Sequence, residues 1–181
     1  MDDIKSRLFD IWFALRCGAG NREFLRVLER YGNTYDVHKA EASELESLPC
    51  SEKFKAALSD KRLDHAHEVV KYCCKSGTKI LFWQDGDYPD ALRSLKDPPV
   101  LLYYQGELPD LNSRLCVGVV GSRRVSEYGR RMAYKIGYEL AATETVVVSG
   151  MALGVDGVAA AAAIRAGGTT VAVLGCGLDK P

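Results

Sequence analysis

The sequence predicts an α/β protein: a small all-α module followed by a partial parallel sheet. Three observations lead there. Apolar residues over 4–76 recur at helical spacing. After Gly77, valine-rich strands alternate with helices. Each of the last three strands then runs into a loop rich in glycine and small residues, the pattern of a Rossmann-like sheet whose ligands sit beyond the carboxyl ends of its strands.

The helical part divides by its stops. Ile4, Leu8, Ile11, Trp12 and Leu15 form the first apolar face, and Gly18-Ala19-Gly20 ends it. Asn21 is placed to cap a second helix with the face Phe24, Leu25, Leu28 and Tyr31, closed by Gly32. Ser43 and Glu46 have capping-box spacing ahead of a short helix that Pro49 terminates. Helices over 52–58 and 62–75 complete a module of five, residues 1–77, of the SAM or helix-hairpin-helix kind. Its "ELESLPCSEKFKAAL" stretch suggests a phosphate-gripping hairpin, except that Cys50 stands where a glycine amide is wanted; plain packing is the rival reading. His65 and His67 are two apart on one helix and His38 stands alone, so no metal site is expected.

Residues 78–181 form the second expected domain. "KILFW" and "VLLYY" (79–83 and 100–104) read as strands, joined by a polar connection with Tyr88-Pro89 and Pro98-Pro99. Strands over 115–120, 145–149 and 170–174 then alternate with helices over 127–142 and 156–166. Nearly unbroken valine predicts strands covered on both faces, with right-handed crossovers and the 79–104 segment extending the sheet.

Composition narrows the function. Lys and Arg together number 24, as do Asp and Glu, so any affinity for a polyanion must come from local clustering. That clustering exists: Arg114, Arg123, Arg124, Arg130, Arg131 and Lys135 face Glu127 alone between positions 114 and 135. No apolar run is long enough to span a bilayer, and the six cysteines include no C-x-x-C pair. A reduced, cytoplasmic protein without membrane contact is expected, with Cys116 and Cys176 as small hydrophobes beside buried strands.

The loops "GSRRVS", "SGMALGVDG" and "GCGLDKP" are the candidate site. Glycine lets backbone N–H groups approach an anion, and the helices that follow point their positive ends at the same place. Gly121, Gly150, Gly154, Gly175 and Gly177 are the expected amide cradle. Ser122 and Ser149 add hydroxyls, and Arg123 and Arg124 add planar forks suited to phosphate. Neither G-x-G-x-x-G nor a Walker loop is present, which disfavours dinucleotide binding and triphosphate hydrolysis, and no cofactor is expected. Asp156, at a helix start, reads as an N-terminal cap. Arg130, Arg131 and Lys135 read either as a DNA track or as a solvated helix face. Tyr31, Trp83, Tyr103 and Tyr104 read as core.

"VGVVGSRRVSEYG", "VVSGMALGVDGVA" and "AGGTTVAVLGCGLD" resemble, in order, three signatures of the DNA-processing protein A family, also called DprA or Smf. "YPDALRSLKDPPVLLYYQGEL" is similar to that family's lead-in. The resemblance implies a protein that is not an enzyme. It further implies binding of single-stranded DNA during natural transformation and help in loading the RecA recombinase. It also implies that Gly121, Ser122 and Arg123 hold backbone phosphate while Ser149, Gly150 and Gly154 shape the adjoining wall. Two departures stand out. Ala160 and Ala161 occupy the places where the family has His and Arg, which either lowers DNA affinity or alters packing alone. The family also continues beyond Pro181, so a fragment is expected, with a homodimer as one way to cover its sheet edge. The rival functions are a Rossmann-like hydrolase or transferase acting on a nucleoside phosphate, and a module that only contacts other proteins.

Overall fold

Where the apolar rhythm suggests five helices before Gly77, the described residues build seven. The structure is a computed structural model and describes residues 2–18 and 21–179. The first expected helix is two, α1 (Asp2–Ser6) and α2 (Leu8–Cys17), because Arg7 between them leaves α geometry at ψ 6°. Of the expected stop after α2, only Gly18 lies within the described residues. Asn21 does not cap α3 (Phe24–Tyr31); it accepts the Glu23 N–H at 2.9 Å and stands two residues before the N-cap position, which Glu23 takes. The unexpected helix is α4 (Thr34–Lys39), started by Asn33, whose side chain accepts the Asp36 N–H at 2.9 Å. At α5 (Ala42–Glu46) the capping pair is Glu41 and Glu44 rather than Ser43 and Glu46, with the Glu44 carboxylate accepting the Glu41 N–H at 2.8 Å. Then follow α6 (Glu52–Ser59) and α7 (Asp64–Ser76).

Next come β1 (Lys79–Phe82), a single turn α8 (Asp90–Arg93) and β2 (Leu101–Tyr104), the two strands antiparallel with Ile80 opposite Tyr103. They do not extend the later sheet. Phe82 and Val100 instead belong to the core of Ile11, Trp12, Phe13, Phe24, Val27 and Leu58. The change of rhythm at Gly77 marks a domain edge in the sequence, but packing divides the chain into compact units Met1–Gly106 and Glu107–Pro181. Tyr103, exposed at 41%, is surface rather than core, while Tyr31, Trp83 and Tyr104 are half-buried.

The second unit comprises β3 (Cys116–Gly118), α9 (Glu127–Ala142), β4 (Val146–Ser149), α10 (Val155–Arg165) and β5 (Thr170–Ala172). Its sheet is parallel in the order β3-β4-β5, with Val117 opposite Val147 and Val148 opposite Val171. Coverage on both faces is not what forms. Two right-handed crossovers advancing the same way across a sheet lay both helices on one face, and α9 and α10 do pack on each other. A Cβ on Gly137 would stand 2.4 Å from the Ala159 carbonyl oxygen, so only glycine permits this approach. The other side leaves Cys116, Gly118 and Val120 exposed, and Cys176 is exposed too, so neither cysteine serves as a buried hydrophobe. The core here is small: Ala141, Val147 and Ala163, with Ala159 and Ala162 also fully buried. Three of the five consecutive alanines are therefore packing residues, while Ala160 is half-buried and Ala161 exposed. Among the described residues no helix is long and apolar enough to cross a membrane.

Candidate functional site

Valine-rich β3 and β4 end side by side, which brings the loops 121–126 and 149–154 together. Gly154 makes the approach possible: its φ is 92°, and a Cβ there would lie 2.1 Å from the Ser122 carbonyl oxygen. The Val155 N–H donates to that same oxygen at 3.2 Å. Met151, also in the left-handed region at φ 53°, donates its N–H to Ser149 Oγ at 3.2 Å, so the second loop is tightly wound.

Asp156 holds the pair of loops from beneath. The residue is 5% exposed, and its carboxylate accepts the Gly121 N–H at 3.1 Å and the Gly150 N–H at 3.0 Å. It is therefore not the N-terminal cap of α10, a position taken by Gly154. Asp156 ties the ends of two strands, and two amides of the expected cradle already serve an internal anion. Ser122 Oγ is likewise occupied, donating to the Arg124 carbonyl at 2.7 Å and accepting the Arg124 N–H at 3.2 Å. Ser149 is buried at 3% exposure.

What faces outward is different. Among the described residues the N–H groups of Ser122 and Arg123 donate to nothing, as do those of Gly175 and Gly177 in the third loop. The Arg123 and Arg124 side chains are exposed, and among the described residues their guanidinium groups have no partner. Ser126 caps α9 by accepting the Gly129 N–H at 3.1 Å, so the positive end of a 16-residue helix begins right after them. One basic residue of the expected cluster drops out. Arg114 donates to the Glu144 carbonyl at 2.7 and 3.1 Å and to Thr169 Oγ at 3.0 Å, where it serves the fold. Arg130, Arg131 and Lys135 remain exposed on α9. Tyr134 and Tyr138, which strand and helix patterns do not single out, stack there with ring centroids 6.2 Å apart. Their signal in the sequence is a four-residue spacing interleaved with those cations.

The hairpin of the helical module is closed. Glu23 accepts both the Ser51 N–H and the Ser51 hydroxyl at 2.6 Å, which puts a carboxylate where a phosphate would have to sit. The hydrogen bond from Ser51 holds that carboxyl below the usual carboxylate range.

The sequence of this second unit, together with β1 and β2, matches a family model. Residues 79–181 fit the model for DNA recombination-mediator protein A, more than half of the chain. The chain belongs to that family. It is 35% identical over 94% of its length to DNA processing protein DprA of Streptococcus pneumoniae, and spans 58% of that relative. With protein Smf of Escherichia coli it shares 42% identity over 51% of its own length and 24% of the relative's. The X-ray structure of S. pneumoniae DprA superposes with a TM-score of 0.70 at 32% identity, over 95% of this chain and 59% of that one. DNA processing protein A from Helicobacter pylori, solved for its single-stranded DNA binding mode, matches at TM-score 0.51 and 35% identity, over 57% of this chain and 45% of that one. The chain thus spans less than two thirds of the length of each of these relatives.

Within the recombination-mediator family's lead-in motif, the residues here build the fold. Tyr88 is fully buried, donates its hydroxyl to the Pro99 carbonyl at 2.6 Å, and is pushed by burial up to about 12. Arg93 lies over the rings of Trp83 and Tyr88 at 5.4 and 5.3 Å and also donates to the Asp85 carbonyl.

Proposed function

We propose that this chain binds single-stranded DNA with little regard to sequence, as part of DNA processing and recombination, and that the protein to which it corresponds delivers the strand to the RecA recombinase. One observation carries the reading: among the described residues Arg123 and Arg124 are unpaired, and they are exposed beside free N–H groups at the joined carboxyl ends of two parallel strands. Guanidinium forks and backbone amides are the groups that hold phosphate without reading bases. The relatives' names and the H. pylori protein's single-stranded DNA binding mode support the same assignment.

In this reading the cradle is assembled from Arg123, Arg124 and the Ser122 and Arg123 amides. Gly121, Gly150, Gly154 and Asp156 shape it without touching the strand. The chain acts as a binder rather than an enzyme. Asp156, an acidic group at the strand ends, is buried and already bonded to two amides, a poor state for proton transfer. Fluorescence anisotropy with labelled oligo-dT tests the reading. Arg123→Ala weakens binding about tenfold, the value of one charge-assisted hydrogen bond. Unchanged affinity removes Arg123 from the site, and release of free base from mononucleotides favours the hydrolase instead.

A further inference from the structure

We propose that the exposed face of α9 is a stacking platform for the bases of single-stranded nucleic acid, reached by a strand whose phosphates sit at the 121–126 loop. This rests on the DNA-binding reading above and extends it to a second set of residues.

The observations come from one helix. Ala133, Gly137 and Ala141 form its buried ridge. Tyr134 and Tyr138 lie on the adjacent ridge, 38% and 43% exposed, their rings stacked at an interplanar angle of 18°. Arg130 stands one turn before Tyr134 on that ridge, and Arg131 and Lys135 occupy the next. Among the described residues neither the Arg130 nor the Arg131 guanidinium has a partner. Lys135 makes only a long 3.8 Å contact with Glu139, both side chains over 60% exposed, a pair that contributes little. Two parallel aromatic rings bordered by unpaired cations match the needs of a polyanion carrying flat π-surfaces. Stacking of bases on such rings is indifferent to sequence because every base has a π-face.

Position supports the same occupant. α9 begins at the cap residue Ser126, directly after Arg123 and Arg124. At 1.5 Å per residue, Tyr134 lies about 12 Å along the axis from that cap and Tyr138 about 6 Å further. A strand leaving the loop along the helix therefore meets Arg130 first and the rings next.

The test compares the parent with Tyr134→Ala/Tyr138→Ala and Tyr134→Phe/Tyr138→Phe. Each binds oligo-dT and an abasic oligonucleotide of equal length at fixed salt. The parent prefers oligo-dT, and the alanine pair loses that preference, its oligo-dT affinity falling roughly 5- to 100-fold for each base that loses its ring. Its abasic affinity and salt dependence stay at the parent's values, and the phenylalanine pair behaves as the parent. An alanine pair that keeps the parent's preference overturns the platform. If Arg123→Ala meanwhile weakens both oligonucleotides, the phosphate reading survives that failure. A parent that binds neither oligonucleotide overturns both. An alanine pair that keeps its DNA binding and loses self-association in light scattering assigns the face to protein contact, which also overturns the proposal. Circular dichroism verifies folding, and single Tyr134→Ser and Tyr138→Ser variants supply the same comparison if the double variant melts early.

Discussion

The two units use arginine in opposite ways. In Met1–Gly106 every arginine side chain is engaged. Arg7 pairs with Asp10 and Asp85, Arg16 and Arg62 with Asp60, and Arg22 and Arg26 donate to carbonyls; Arg30 and Arg93 lie over tyrosine or tryptophan rings. In Glu107–Pro181 only Arg114 is so engaged among the described residues, while Arg123, Arg124, Arg130, Arg131 and Arg165 are left without a partner. Their cores differ in step: large aromatics in the first unit, alanine, valine and glycine in the second. A guanidinium bonded to its own chain must give up those bonds to meet a ligand, whereas an unpaired one gives up only water. The contrast favours the second unit as the proposed ligand surface without recourse to charge totals, which are balanced.

The largest expected effect sharpens the difference in cores. Trp12 is fully buried and donates its indole N–H to the Asp60 carbonyl at 3.0 Å. Trp12→Ala costs about 3–5 kcal/mol by chemical denaturation, while the second unit's affinity for oligo-dT at low denaturant stays at the parent's value. Gly154→Ala acts in the other unit. Forcing a Cβ against the Ser122 carbonyl at φ 92° separates the loops and costs about 1–3 kcal/mol, with oligo-dT binding lost alongside stability.

Asp156 gives a graded version of the same experiment. Asp156→Ala removes the acceptor for both the Gly121 and Gly150 amides and destabilises by about 2 kcal/mol in thermal unfolding. Asp156→Asn keeps one acceptor oxygen and loses about half as much. Equal losses from the two variants would mean that the negative charge, rather than the bridge, is what matters. The smallest effect belongs to Glu23 in the helical module. Its depressed carboxyl contributes stability that is present above the ordinary glutamate value near 4.3 and fades as pH falls through the lower folded one. Glu23→Gln therefore melts slightly below the parent at neutral pH and with it in strong acid.

Local signals account for most of what the sequence discloses. The alternation from β3 to β5 is legible within a few residues at each end, because valine runs and amphipathic helices are marked by their own residues. The helix α4 is missed for its shortness, although Asn33 announces it. That both helices cover one face follows from strand order, which no single strand encodes. The arginines of the site are legible as a cluster, but which of them are free is not. Arg114 is removed by Glu144 and Thr169, partners 30 and 55 residues away. Asp156 hides its role similarly, since its link to Gly121 crosses 35 residues and exists only once β3 and β4 are paired.

The salt dependence of oligo-dT binding tests the central contrast most directly. The double variant Arg123→Ala/Arg124→Ala should flatten the slope of log affinity against log salt by about 1.4, near 0.7 for each phosphate released. Arg62→Ala, which takes one unit of charge from a guanidinium paired with Asp60, should leave the slope at the parent's value. A double variant with the parent's slope, or an Arg62→Ala variant that flattens it, would contradict the account.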